Sequence, residues 1–240
     1  ISKGRAMAFI ELKNYVLKAE KTNAGSGIGP LNLNLEAGNV YALKTDSAND
    51  AHLFFRGLAT LVSPSRGTYI YKGETLFFFF FLRLLHAKKT MGYLTADTTL
   101  ISNRTIRENL TLGRAYFYND MSGTLDYETM ELCRDFGIDR VLGQRPAGLG
   151  VPDNKSAMMV REIGKNPDIL LLEYPEEFCL SEGNTLEVLI ETIHKRLDLG
   201  MTLVFLTYEE DFSRCFSGKT LEIREGRVCI TDEIKQAAMG

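Results

Sequence analysis

The segment 165-KNPDILLLEYP-175 decides the fold, because Ile169 to Leu172 run apolar without alternation between a polar approach and a Glu-Tyr-Pro exit. A strand with one wet face alternates apolar and polar residues, so an unbroken run bounded by turn formers reads as a strand buried on both faces. Leu203 to Leu206, inside 202-TLVFLTYE-209, has the same character. Two such runs predict the interior of a parallel sheet with helices on either side.

Working outward, further β-branched or aliphatic runs stand at Val40 to Leu43, Thr68 to Tyr71, Met91 to Leu94 and Leu221 to Ile223, with helix-period stretches between several of them. Thr105 with Glu108 three residues later, ahead of Leu110, predicts a capping box. Pro152-Asp153-Asn154 opens a helix whose Ala157, Met158, Val160 and Ile163 share a face and which stops at Gly164 to Pro167. Glu182 to Leu199 reads as an amphipathic helix with Leu186, Leu189, Ile190, Ile193 and Leu197 inward. Leu221 to Ile223 and Val228 to Ile230, around Glu225-Gly226, predict a closing hairpin. The fold class is α/β.

Composition narrows the function classes. The chain has 240 residues, 45% of them apolar and 25% charged, which excludes disordered, collagen-like and coiled-coil readings. At this length about three quarters of the unfolded surface is buried on folding, so no metal or disulfide staple is needed. A net charge of -3 lacks the basic footprint of a nucleic-acid or anionic-membrane binder. Cys133, Cys179, Cys215 and Cys229 form no C-x-x-C pair, which favours a reduced, cytosolic setting. His52, His86 and His194 are equally scattered and predict no metal site. The run Phe77 to Phe81, extended by Leu82, Leu84 and Leu85, is broken by Arg83 and falls short of the roughly 18 residues that span a bilayer. It reads as a buried strand or helix edge, with a greasy docking surface as the alternative. The opening Ile-Ser-Lys-Gly-Arg, without Met, reads as a trimmed start with no secretory signal.

In this order the segments Leu33 to Thr45, Gly57 to Gly73, Met91 to Leu112, Lys165 to Pro175 and Thr202 to Glu209 resemble the nucleotide-binding domain of ABC transporters over nearly the whole chain. The resemblance implies one P-loop-type domain over residues 1–240, with a mainly parallel core sheet, an antiparallel β part and a helical subdomain at roughly 105–165.

The positions that carry chemistry in that family are replaced. Triphosphate binding needs a glycine-rich loop whose amides face the phosphates, a Lys on the terminal phosphates and a Ser or Thr on Mg²⁺. Lys44 to His52 reads KTDSANDAH: Lys44, Ser47 and Asn49 stand for the glycines, Asp50 for the Lys, and Ala51 and His52 for the hydroxyls. An acid for a Lys changes the local charge by two units, each worth roughly 3 kcal/mol at about 5 Å and an effective dielectric near 20. Ala96 takes the place of the Gln-loop glutamine. The Walker B acid is Glu173, followed by Tyr174 in place of the general-base Glu, and Tyr208 replaces the switch histidine. A phenol with an ordinary pKa near 10 is no general base at pH 7. The signature run reads Leu149-Gly150-Val151-Pro152-Asp153, in which Val151 blocks close approach, Pro152 lacks an N–H and Asp153 adds negative charge.

The resemblance therefore implies a non-catalytic subunit, a pseudo-ATPase without expected cofactor. Its implied partners are integral-membrane permease subunits and a second ABC-type ATPase domain, as homodimer or heterodimer. No nucleic acid and no membrane span of its own are expected. The implied location is cytoplasmic, peripheral on the inner membrane through those partners. The permease groove is expected beside Thr98 to Asn109, with Arg104, Arg107 and Glu108 near its rim. Lipid or envelope traffic is the cargo suggested by the wording of Ile101 to Leu112. Two alternatives are an active or slow ATPase using ATP and Mg²⁺, and a soluble regulatory protein on the same scaffold.

Overall fold

A computed structural model describes residues 9–19, 27–78, 81–179 and 184–234. Its first half contains β1 (Ile10–Leu17), β2 (Ile28–Leu35), β3 (Val40–Thr45), α1 (Ala48–Leu58), β4 (Arg66–Tyr71), β5 (Glu74–Leu76), α2 (Phe81–Lys88) and β6 (Met91–Leu94). There follow α3 (Ile106–Tyr118), α4 (Tyr127–Asp135), α5 (Val151–Ile163), β7 (Ile169–Glu173), α6 (Thr185–Asp198), β8 (Thr202–Leu206), α7 (Glu210–Arg214), β9 (Gly218–Arg224) and β10 (Arg227–Ile234).

Every residue of β7 and β8 is buried. They lie inside a six-stranded sheet of order β10-β9-β3-β8-β7-β6, whose strands run parallel except for the β9–β10 hairpin. Because side chains alternate across a strand, the unbroken apolar run of β7 serves two cores. Ile169 and Leu171 pack with Phe54 and Phe55 of α1 and with Tyr69 on one face. Leu170 and Leu172 pack with Met159 and Val160 of α5 and with Leu189 and Ile193 of α6 on the other. An antiparallel sheet of order β2-β1-β4-β5 completes the first core. Gly67, at φ +95°, is required where β4 meets the irregular stretch of β1, since a Cβ there would lie 2.3 Å from the Asn14 carbonyl oxygen.

The predicted α/β class is observed, and so is the capping box. Glu108 N–H donates to Thr105 Oγ1 at 3.2 Å, while Thr105 N–H donates to the Glu108 carboxylate at 2.7 Å. The fifth helix starts at Val151, one residue before the proline, with Gly150 as its N-cap. The phenylalanine run is not one buried element. Phe77 is half exposed, Phe78 meets the Tyr69 ring edge-on, and Phe81 opens α2, while Phe79 and Phe80 lie outside the described residues. Among the described residues, no helix is long and apolar enough to cross a membrane.

Leu171→Ala should lower stability by about 2–5 kcal/mol, as a large-to-small change in a closed core. Thr105→Ala should cost about 1 kcal/mol through the lost cap. Urea denaturation with an unchanged slope measures both.

Candidate functional site

The carboxyl ends of parallel strands are where α/β sheets place their ligands, and of the positions singled out in the sequence, Lys44 to His52, Ala96, Glu173, Tyr174 and Tyr208 lie at that edge. The expected phosphate loop, however, is hardly a loop. The third strand continues through Lys44 and Thr45 and α1 begins at Ala48, leaving Asp46 and Ser47 between them. Lys44 is an exposed strand residue opposite Glu222, which corrects its reading as a loop position. No residue from 44 to 52 adopts a positive φ, whereas an anion nest needs alternating right- and left-handed residues. Without glycines the chain instead closes on itself. Ser47 N–H donates to Thr45 Oγ1 at 3.0 Å, and Asp50 N–H donates to Ser47 Oγ at 3.2 Å. Asn49 is exposed; Asp50 and Ala51 are buried.

His52 points across to the end of β7. Its Nδ1 lies 3.0 Å from both carboxylate oxygens of Glu173, which is itself buried, and Tyr93 Oη donates to the same carboxylate at 2.8 Å. The bond to Glu173 raises the His52 pKa, against the opposing effect of burial. The ring of Tyr93 stacks on Phe55 at 6.2 Å, and its backbone N–H donates to Glu162 of α5 at 3.2 Å. Burial opposes ionisation of Glu162, but Lys165 and Arg161 outweigh it and hold its pKa below the usual range.

Tyr174 and Tyr208 come together as a stacked pair, ring centroids 4.5 Å apart, with Tyr208 Oη donating to Tyr174 Oη at 2.9 Å. Burial raises the Tyr174 pKa, and the bond from Tyr208 and the charges of Glu173 and Glu176 push the same way. Its hydroxyl therefore stays neutral. Glu176 accepts from Thr207 Oγ1 at 2.8 Å and from Tyr208 N–H at 2.9 Å. Ala96 is exposed in the turn after β6, which Thr95 and Thr98 close by reciprocal bonds of 3.0 and 2.8 Å.

Leu149 is half-buried against the second core, and Gly150, Val151 and Pro152 are exposed at the start of α5. Asp153 is paired with Arg140 at 2.6 Å, so the negative charge read there from sequence is locally neutralised.

Sequence reasoning missed Tyr93, Asp97 and Glu176. The pairings Tyr93 with Glu173 and Tyr208 with Glu176 span 80 and 32 residues, so no local spacing signals them. It also missed a cleft of about 1090 Å³ formed by the second half of α3, the start of α4 and the end of α5. Tyr116, Tyr118 and Tyr127 stand exposed along it.

Comparison with known proteins places this architecture in a class. The fold is that of the ABC transporter nucleotide-binding domain. A dimeric post-hydrolysis structure of the ATP-binding cassette MJ0796 bound to ADP and Pi superposes with a TM-score of 0.77 at 19% identity, covering 96% of this chain and all of that one. The structure of an ABC transporter ATP-binding subunit gives 0.75 at 16% identity. In sequence the chain is similar to ABC ATP-binding proteins: 24% identical over 201 residues to the methionine import ATP-binding protein MetN 1 of Pseudomonas putida, covering 84% of this chain and 60% of that protein. It is 22% identical to the arginine transport ATP-binding protein ArtM of Bacillus subtilis, over 89% of each. The chain thus spans less than two thirds of the MetN 1 relative's length. No protein-family model matches.

Tyr93→Phe removes a hydrogen bond to a buried carboxylate and should cost about 1.5–3 kcal/mol by urea denaturation. Tyr208→Phe, at an exposed ring, should stay within about 0.5 kcal/mol.

Proposed function

We propose that this chain is a non-catalytic ABC-type subunit of a membrane transporter, kept for its protein contacts rather than for nucleotide hydrolysis. One observation carries the reading: the acid that would serve a bound nucleotide, Glu173, is taken up by His52 and Tyr93 of the same chain. The hydroxyl after the P-loop lysine and the Walker B acid stand together in ATP-binding relatives of this fold. His52 is the residue facing Glu173, which favours a register one residue later than the first reading, with Ala51 at the lysine position and Asp50 at the last glycine. In either register the lysine is gone. The closed turn at 44–47 and the neutral Tyr174–Tyr208 pair support the same reading, since neither an anion nest nor a general base remains.

The residues present thus do not fit a magnesium triphosphate. The competing reading, an ATP-hydrolysing subunit, is favoured by the relatives' names, all of which say ATP-binding. Their named cargo is methionine or arginine, and nothing in them supports lipid traffic. Isothermal titration with Mg-ATP should give no heat at millimolar nucleotide; micromolar binding overturns the non-catalytic reading.

Residues 105–165 are read as the helical subdomain, and its cleft as the face offered to a permease. The subunit would then sit at the cytoplasmic side of the inner membrane through that partner, paired with a second ABC-type domain. Exposed apolar patches of this kind mark interaction surfaces. The segment Thr98 to Asn109 borders the cleft rather than forming it, tied by Arg161 donating to the Thr99 carbonyl at 2.7 Å. Arg107 is only half exposed, whereas Tyr116 and Tyr127 are exposed, which makes it a poorer docking probe than the tyrosines. Replacing Tyr116 and Tyr127 together by Glu should abolish co-purification with the membrane subunit from detergent extracts while leaving the melting temperature nearly unchanged. Retention of the membrane subunit by that variant would remove the cleft from the docking surface.

A further inference from the structure

Three segments converge on one imidazole. His52 on α1 has Nδ1 3.0 Å from both oxygens of Glu173 at the end of β7, and its Nε2 lies 3.6 Å from Asp97 Oδ2 in the turn after β6. Among the described residues, Tyr93 of β6 reaches it through Glu173, and Arg56 further along α1 carries a like charge that disfavours the protonated ring. The His52 side chain is 23% exposed, so water reaches the ring, whereas the Glu173 side chain is 5% exposed.

The two ring nitrogens are not equivalent. A charged imidazole donates from both, to Glu173 and toward Asp97. On losing one proton the ring keeps the Nδ1–H that faces the buried carboxylate and turns a lone pair from Nε2 toward Asp97. The second contact then changes from attraction to repulsion while the first survives.

We propose that His52 is a proton-operated tie, fastening the Thr95–Thr98 turn to the seam between α1 and β7 when charged and releasing that turn when neutral. The inference rests on the non-catalytic reading and deepens it: a proton regulates the site that a nucleotide occupies in ATP-binding relatives. The effect reaches the proposed docking cleft by a short route, because Thr99, next to the turn, accepts from Arg161 at the cleft wall. The Glu173 bond, with the charges of Glu173 and Asp97, holds the imidazole above its ordinary value despite burial and Arg56. The tie is therefore fully present below the unfolded pKa near 6.5 and is lost as pH rises through the folded value.

Imidazole NMR on the whole chain, with the His52 signal assigned by its loss in His52→Gln, should give a midpoint above 6.5. Amide hydrogen exchange at residues 95–98, corrected for its intrinsic pH dependence, should rise several-fold across that midpoint. Asp97→Asn, an exposed change that spares the fold even if His52→Gln does not, should lower the midpoint and flatten the rise. A midpoint at or below 6.5, or corrected exchange that ignores pH, overturns the tie. These readouts separate from nucleotide titration: ATP binding with a raised His52 midpoint would sink the non-catalytic reading alone, and an unraised midpoint without ATP binding would sink the tie alone.

Discussion

A strand with no exposed residue must be covered on both faces, and β7 and β8 have none. From that constraint follow the two helical layers, since α1 and the antiparallel sheet fill one side and α5 and α6 the other. Parallel pairing of β6, β7, β8 and β3 then brings their carboxyl ends to one edge. Glu173, Tyr174, Thr207 and Tyr208 arrive there because of how the core packs. The position of the candidate site is set by apolar burial, and its chemistry is set separately by what each strand end carries.

That separation explains how motif residues can change without loss of the fold. A buried carboxylate with no partner costs several kcal/mol, so Glu173 at a strand end needs either a bound cation or donors from the chain. His52 and Tyr93 are such donors. The same holds for Glu176, which receives the Thr207 hydroxyl and the Tyr208 amide. At the ends of β7 and β8 two stacked phenols, Tyr174 and Tyr208, share one hydrogen bond.

Much of the fold could be read from the sequence because its signals are local. The unbroken runs at Ile169 and Leu203, the Thr105–Glu108 cap and the Glu225-Gly226 turn each depend on neighbours within a few residues. The site was legible only as a set of positions singled out by a family resemblance. Whether residues 44–52 form a loop depends on how far β3 and α1 extend, and with no glycine to break them both extend until two residues remain. Tyr93 looked like an ordinary strand residue because its bonds go to α5 and to the end of β7, far away in sequence. The Phe77–Phe81 run misled for the opposite reason: its uniform composition does not distinguish Phe77, half exposed after β5, from Phe78, which meets the Tyr69 ring.

At this edge Ser47, Thr45, Glu173, Glu176 and Thr207 all hold partners within the chain. These pairs join elements far apart in sequence: a histidine on α1 meets an acid on β7, and a tyrosine after β8 meets a tyrosine after β7. The proposed non-catalytic reading rests on that physical coherence rather than on the absence of a motif. Under the proposed reading a bound nucleotide would compete with the His52–Glu173 pair, and residues 44–52 offer no anion nest to offset that loss.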